Sequence, residues 1–258
     1  MNKILVCYKW VLDEKDIKIN PEDLTVNTSR AKYKISDYDK NAIEAGVLLS
    51  EAGDVTVDAV TFGVNTKQSV KDALSRGLNK VYYIADVTAE AADSFVSSNV
   101  LASAVNKIGS YDIIICGEGS SDTYNQQVAP RLATILGIPT ITFVKEFTVD
   151  GNRVIATRKL GDCTEVVTVT GPVVISVLPE INKPRIPSLK QVMAAAKKPS
   201  EELKLTDLAI NPECIKPKAQ NLSTKGYVMN RKNIIYKEAN QAVNVAKLVE
   251  SIAQNGVC

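Results

Sequence analysis

Apolar positions in the first 140 residues follow two alternating periods. Short apolar runs typical of buried strands are separated by longer stretches in which apolar residues recur every three or four positions, as in amphipathic helices. The strand-like runs are 3–8, 55–62, 80–84 and 111–116, and the helical stretches are 39–52, 66–76, 95–108 and one containing Val128, Leu132, Ile135 and Leu136. This alternation predicts an α/β fold with a doubly wound, mostly parallel sheet, whose ligands lie at the carboxyl ends of the strands.

From Thr140 the pattern changes to strand-like segments joined by turns. The segments 140–148, 153–158 and 165–170 are separated by Asp150-Gly151 and by Gly161-Asp162. Glycine beside aspartate between alternating runs is typical of hairpins. We therefore expect a hairpin-rich antiparallel edge on the parallel sheet, followed by a return to a buried strand at 173–177.

The segment 178–203 contains four prolines and reads differently from the rest of the chain. Each proline disfavours helical backbone in the residue before it, so extended chain is expected up to Pro187. Ser188 is then in position to cap a short helix that ends near Ala196. The segment is either a linker or an exposed arm that binds a partner. Beyond it, 237–253 has the pattern of a terminal amphipathic helix.

The loop after the fourth predicted strand is the main candidate site. It reads CGEGSSDTYNQQVAP, with Gly117 and Gly119 free to adopt positive φ and approach a ligand closely. Pro130 fits only in a first helical turn, which places the start of the next helix near Gln126 or Gln127. Free N–H groups at such a helix start bind phosphate. The alternative is an ordinary polar turn.

Two other loops are expected at the same edge of the sheet. Ser36 followed by Asp39 has the spacing of a capping box at the start of the first helix. Gly63 ends the second strand, and Thr66 is expected to cap the helix that follows. Three loops around one crevice favour a nucleotide site over a plain turn.

Composition removes several other classes of function. The net charge is +2, which does not favour nucleic acid as the partner. The chain has no histidine, which excludes Ser-His and Cys-His nucleophile pairs. Glu118 and Asp122 have no accompanying base or metal cluster that would indicate a hydrolase, so no catalytic or metal-binding side chain is predicted. The five cysteines are widely spaced and are expected to be free thiols. With neither a signal peptide nor a membrane span in the sequence, a cytoplasmic protein is expected.

Several ordered motifs resemble the beta, or small, subunit of electron-transfer flavoproteins. They cover nearly the whole chain and include CYKWVLDEKDIKIN, KISDYDKNAIEA, DALSRGLNKVYYI, RKLGDCTEVVTVTGP and INKPRIPSLKQVMAAAKKP, together with the loop after the fourth strand. Within the family, the chain is most similar to the nitrogen-fixation and carnitine-pathway branch. It departs from the wider family at Glu118–Ser121, where a basic residue followed by Gln-Ala-Ile is usual, and at Ala129, where glycine is usual.

The resemblance implies a Rossmann-like, adenine-nucleotide-binding domain that holds FAD or, alternatively, AMP. FAD is favoured because the slot after the first strand (Asp13, Glu14 and Lys15) has no bulky aromatic residue to fill the space that an isoalloxazine needs. The implied cofactor contacts are Cys7, Ser36, Asp37, Tyr38, Asp39, Phe62, Gly119, Ser120, Ser121, Asp122, Thr123, Tyr124, Asn125, Gln126, Gln127, Val128, Ala129 and Pro130. The implied partner contacts on the arm are Arg185, Leu189, Val192 and Met193.

The resemblance also implies that the chain has three regions with separate roles, and it implies which partners the chain binds. Residues 1–178 would form the nucleotide-binding domain, 179–204 the partner-recognition loop and short helix, and 205–258 a C-terminal arm and helix that pack on the alpha subunit. The chain would carry electrons between NADH or a dehydrogenase and a partner such as an acyl-CoA dehydrogenase or reductase. It would belong to an electron-bifurcating complex. The alternative function is a universal-stress-type adenine-nucleotide sensor without a redox role.

Overall fold

The computed structural model describes residues 1–229 and 231–256. They form two compact units, one made of Met1–Lys18 and Asn27–Thr224 and the other made of Ile19–Val26 and the chain from Lys225 onward. The first unit contains the main sheet and every predicted site residue. Residues 230, 257 and 258 of the predicted C-terminal region, and with them Cys258, lie outside the described residues.

The predicted strands are present, and several short ones accompany them. The strands are β1 Lys3–Cys7, β2 Trp10–Leu12, β3 Lys18–Ile19, β4 Val26–Asn27, β5 Tyr33–Ile35, β6 Thr56–Gly63, β7 Lys80–Ala85, β8 Ile113–Gly117, β9 Thr140–Asp150, β10 Arg153–Lys159, β11 Thr164–Thr170, β12 Val173–Val177 and β13 Ser200–Glu202. The short strands β2 and β5 pair antiparallel outside the main sheet.

Nine strands form the main sheet in the order β11-β10-β9-β12-β8-β1-β6-β7-β13. The pairs from β9 through β13 along this order are all parallel. The pairs β9–β10 and β10–β11 are antiparallel. The predicted doubly wound, mostly parallel sheet with a hairpin-rich antiparallel edge is therefore confirmed. The direction in which successive strands are added to the sheet reverses at β1, which pairs with β8 on one side and β6 on the other.

Helices cover both faces of the sheet. In the first unit they are α1 Asp37–Ala52, α2 Val70–Ser75, α3 Ser94–Ile108, α4 Val128–Leu136 and α5 Leu189–Ala195; α6 Gln241–Gln254 lies in the second unit. Because side chains alternate along a strand, Ile4 and Val6 of β1 pack in the core with α1 and α2, whereas Leu5 and Cys7 pack with α3 and α4. Within this three-layer arrangement, the carboxyl ends of β1 and β8 lie side by side at one edge of the sheet.

Thr66 does not have the predicted capping role. A 3-10 helix occupies Thr66–Ser69 before α2, and its N-cap residue is Asn65. The buried Thr66 hydroxyl instead donates to the carbonyl oxygen of Ile84 on β7 (3.1 Å). A threonine that follows a strand end is free to bond across to the neighbouring strand, and here that bond replaces the cap.

The chain after β12 returns to the sheet through the proline-rich segment. Ser188 caps α5, as predicted, and it does so in a capping box with Gln191. Ala195 at the end of α5 is buried, and β13 then pairs parallel with β7. A short 3-10 helix at Pro212–Ile215 packs beside α3.

The second unit contains the C-terminal helix. The predicted amphipathic helix is α6, whose N-cap residue Asn240 accepts a hydrogen bond from the Ala242 N–H. Its apolar side chains, including Val245 and Val249, are exposed.

Within the described part of the chain, no helix is long and apolar enough to cross a membrane. Cys7, Cys116, Cys163 and Cys214 are free thiols.

Candidate functional site

A cavity opens at the carboxyl ends of β1, β6 and β8, where the strand order reverses. Its volume, including the open mouth, is about 820 Å³. This is the place where doubly wound sheets bind their ligands. The lining residues are Cys7, Tyr8, Lys9, Asp39, Phe62, Ala92, Asp93, Ser94, Ser97, Leu101, Cys116, Gly117, Glu118, Gly119, Ser120, Thr123, Asn125, Gln126, Gln127 and Val128.

Residues at or next to the ends of three strands contribute an apolar part of the cavity wall. Cys7 and Cys116 are register partners on β1 and β8, and Phe62 is near the end of β6. All three are buried in the core beneath α3 and α4. The hydrogen bond with the Cys7 thiol and burial both raise the pKa of the Cys116 thiol, so the Cys116 thiol remains neutral. This part of the wall suits a flat, uncharged ring system.

Asp39 ties the ends of β1 and β8 together. Its carboxylate accepts hydrogen bonds from the Lys9 N–H (2.8 Å) and the Gly117 N–H (3.2 Å). Ser36 is the N-cap residue of α1, but its side chain makes no capping hydrogen bond, so the predicted capping box is wrong. Burial raises the pKa of Asp39 to about 7, although the two N–H donors oppose that shift.

The loop between β8 and α4 is held in an unusual backbone conformation. Tyr124 and Gln126 have positive φ, whereas Gly117 and Gly119, which were expected to have it, do not. The Tyr124 hydroxyl donates to Glu118 (2.7 Å), and its ring packs so closely on Gly119 that a Cβ there would lie 2.5 Å from it. The missing side chain at Gly119 therefore leaves room for the Tyr124 ring, while Tyr124 and Gln126 adopt the left-handed backbone.

Ser36 and Ser121 connect this loop to the start of α1. The buried Ser36 hydroxyl accepts a hydrogen bond from the Ser121 N–H (3.2 Å), and the Ser121 hydroxyl accepts one from the Asp37 N–H (2.9 Å). The two serines are 85 residues apart in sequence. Their bonds fix the loop against α1 and so set the shape of the cavity mouth.

The N-terminus of α4 has the chemistry to bind an anion. Gln127 is the N-cap residue of α4, but its side chain makes no capping hydrogen bond. The helix begins at Val128, close to the predicted start. Pro130 has no N–H, so the first-turn donors are those of Val128 and Ala129. Lys9 adds a positive charge at the cavity and pairs with Asp122 at 2.5 Å. An uncapped helix start in a cavity that a lysine also lines fits a phosphate group.

The N-terminus of α3 forms a third side of the cavity. Its residues were not predicted from the sequence to belong to the site. Asp93 caps this helix by accepting from the Val96 N–H, and Ser94 and Ser97 supply hydroxyls to the lining. The Gly63–Thr66 loop, expected at this place, is not among the lining residues. An aspartate two residues before an apolar helical stretch was the available signal for the wall.

The predicted cofactor residues fall into five groups. Ten of them line the cavity: Cys7, Asp39, Phe62, Gly119, Ser120, Thr123, Asn125, Gln126, Gln127 and Val128. Asp37, Tyr38, Ser121 and Tyr124 line a second hollow, described next. Ser36 and Ala129 are buried behind the lining, and Asp122 pairs with Lys9. Pro130 faces a groove between α3 and α4.

The second hollow adjoins the first through Ser120. Its volume, including open space, is about 770 Å³. Its lining residues are Glu14, Asp37, Tyr38, Asn41, Ser120, Ser121, Tyr124 and Pro179. The rings of Tyr38 and Tyr124 are 5.1 Å apart and tilted, so an aromatic surface faces this space.

These features define an α/β protein with a ligand cleft at the switch point of a doubly wound sheet. Comparison with known families identifies it further. The sequence matches the electron transfer flavoprotein domain over residues 23–208. The chain belongs to this family, as the motif resemblance predicted, and the matched region contains most of the residues around both hollows.

Ser36→Ala tests whether the serine bridge shapes the site. Removing the hydroxyl leaves the Ser121 N–H without its acceptor, so we expect the free energy of unfolding to fall by about 1–3 kcal/mol. AMP binding is expected to weaken about threefold or more, because the loop loses its attachment to α1. Urea unfolding and calorimetric titration with AMP measure the two effects. Ser110→Ala, at an exposed position, is the control. Unchanged AMP affinity in Ser36→Ala would rule out the bridge as a determinant of the site.

Proposed function

We propose that this chain is the beta subunit of a heterodimeric electron-transfer flavoprotein and that its cleft holds FAD. The observation that carries the proposal is the cavity at the β1–β8 switch point, with the uncapped α4 N-terminus and Lys9 at its polar side. Membership in the electron transfer flavoprotein domain family supports the redox role. AMP is the alternative occupant.

The second hollow supports FAD over AMP. A mononucleotide needs only the first cavity, whereas a dinucleotide needs a continuous space for a second ring system. The hollow shares the lining residue Ser120 with the first cavity and offers room for such a ring system beside Glu14, in the slot where the sequence has no bulky aromatic residue. The Tyr38 and Tyr124 rings offer it a stacking surface.

The residues fit specific parts of such a molecule. The N–H groups of Val128 and Ala129 would bind phosphate oxygens, with Lys9 supplying a positive charge. Hydroxyls of Ser94, Ser97 and Thr123 lie at the lining for polar groups of the sugar. The flavin, when bound, supplies the electron chemistry, and the chain binds and orients it; no side chain is assigned as an acid or base.

The three regions then have separate roles. Residues 1–178 bind the nucleotide. Residues 179–204 dock a redox partner such as an acyl-CoA dehydrogenase or reductase through Leu189, Val192 and Met193, of which Leu189 and Met193 are 77% and 67% exposed. Residues 205–258 form the C-terminal arm and helix: Pro212–Ile215 packs on α3 of this chain, and the exposed apolar side chains of α6 are the surface that would pack on the alpha subunit.

We further propose that NADH is the electron donor and that the complex is electron-bifurcating, as in the nitrogen-fixation and carnitine-pathway branch. Both proposals rest on the resemblance of the loop GEGSSDTYNQQV to that branch and on the proposed binding of FAD by this chain. A universal-stress-type sensor would have a similar sheet but would have no use for an exposed arm at 179–204.

Cofactor content decides between these functions. The chain is co-expressed with its alpha subunit, the complex is purified, and FAD and AMP are released and counted before titration with NADH under anaerobic conditions. We expect two FAD per heterodimer and bleaching of flavin absorbance by NADH. One FAD with one AMP would overturn FAD in this chain, and a monomer that binds ATP alone would favour the sensor.

A further inference from the structure

The proline-rich arm, residues 179–204, is held at both ends by contacts with the rest of the first unit. At its first end, the Asn41 side-chain amide donates to the carbonyl oxygens of Pro179 (3.0 Å) and Asn182 (2.9 Å). The Asn182 side-chain amide donates back to the carbonyl oxygen of Asn41 (3.0 Å). Since Asn41 is buried in the first turns of α1, this reciprocal pair fixes where the arm begins.

Arg185 makes the strongest set of contacts in the arm. Its guanidinium donates to both oxygens of Glu44, from Nε at 2.8 Å and from Nη2 at 2.9 Å. It also donates to both oxygens of Glu51, from Nη1 at 2.5 Å and from Nη2 at 2.9 Å. The backbone N–H of Arg185 donates to Glu44 as well, at 3.1 Å. Four of the five guanidinium donors are thus used within the chain.

Burial shields the ion pair between Arg185 and Glu44 from water. The Glu44 side chain is 7% exposed and the Arg185 side chain 22%, so water competes weakly for the pair. Arg76, the C-cap residue of α2, donates a hydrogen bond to the carbonyl oxygen of Arg185 at 3.3 Å. A guanidinium that is held in a bidentate fork by two carboxylates has little donor capacity left for another protein.

The second end of the arm is held equally firmly. The Lys198 ammonium donates to the carbonyl oxygen of Leu78 at 2.6 Å. Ala195 is buried against the core, and β13 continues the sheet beside β7. Between the two attachments lie Ile186 and Leu189, which are 93% and 77% exposed.

We propose that Arg185 is a positioning residue: with Glu44 and Glu51 it forms a latch that holds the arm on α1 so that its exposed apolar side chains are presented in one fixed geometry. The family resemblance implied a partner contact for Arg185, whereas the latch assigns it a role within the chain. The inference rests on the proposed docking role of the arm. A fixed arm lowers the entropy lost on docking and therefore strengthens partner binding.

The test uses Arg185→Gln and Glu51→Gln in the purified heterodimer. Glu51 is on α1, and Glu51→Gln leaves the arm's own residues unchanged. We expect both variants to exchange backbone hydrogen for deuterium faster across 183–195, and to raise the KM for a purified acyl-CoA dehydrogenase about threefold or more with kcat and cofactor content unchanged. The double variant is expected to show less than the product of the single effects, because both substitutions open one latch.

Two controls separate the latch from the docking role. Arg153→Gln removes an exposed arginine that pairs with Asp150 on a distant hairpin, and it should change neither measurement. Leu189→Ala should raise KM without changing exchange.

Wild-type exchange in both latch variants would overturn the latch whatever the docking result. A raised KM in Arg185→Gln with a wild-type KM in Glu51→Gln would assign Arg185 to the partner contact instead. An unchanged KM in Leu189→Ala would remove the docking role while leaving the exchange result to judge the latch.

Discussion

Gly117→Ala is expected to abolish most nucleotide binding. A Cβ at Gly117 would lie 2.6 Å from Asp39 Oδ1 and 2.9 Å from the Tyr38 carbonyl carbon. The first neighbour is a buried carboxyl group that ties two strands together, and the second is backbone, so neither moves readily. The start of α1 must shift away from β8, which costs about 1–3 kcal/mol and weakens AMP binding roughly 10- to 100-fold.

Gly119→Ala and Gly161→Ala are matched controls for this prediction. A Cβ at Gly119 would meet only the ring of Tyr124, which is 43% exposed and can rotate outward, so a smaller loss is expected. A Cβ at Gly161 meets nothing within 4 Å and should leave binding unchanged. Calorimetric titration with AMP gives the three affinities. If Gly117→Ala bound AMP as tightly as Gly161→Ala, the close approach of α1 and β8 would not shape the site.

Asp39 is expected to make the protein less stable as the pH rises from about 4 to 7. Its pKa is about 7 in the folded chain, because burial disfavours the carboxylate, and about 4 when unfolded. Between these values the folded state binds more protons than the unfolded state, so the free energy of unfolding falls with a slope of up to about 1.4 kcal/mol per pH unit. Above the folded pKa this contribution is lost and the dependence levels off.

Asp39→Asn isolates that effect from the other titrating groups. The amide cannot ionise, so the difference in unfolding free energy between wild type and variant should change by several kcal/mol, about 4 at most, between pH 4 and pH 8. The variant should gain relative to wild type as the pH rises. Urea unfolding at several pH values measures the difference. Parallel pH profiles for the two proteins would show that Asp39 titrates normally.

Local sequence determined the main elements of this fold. Apolar runs and helical periods each repeat within a short window, and the elements they predict are present at β1, β6, β7, β8 and the intervening helices. The Asp-Gly turn at 150–151 marked the antiparallel edge, and Ser188 marked the start of α5. Such signals are readable because side chains a few positions apart decide whether a segment can bury one face.

Tertiary structure decided what several of these residues do. Ser36 and Asp39 have capping-box spacing, yet Ser36 bonds Ser121 and Asp39 bonds both strand ends, because the sheet order places β8 beside β1. Strand β13 has no apolar alternation and forms because β7 offers it an open edge. Arg185 and Glu44 are 141 residues apart, and only the return of the arm to α1 brings them together. Local periodicity carries no information about which distant segments will meet, so these contacts depend on the packed sheet.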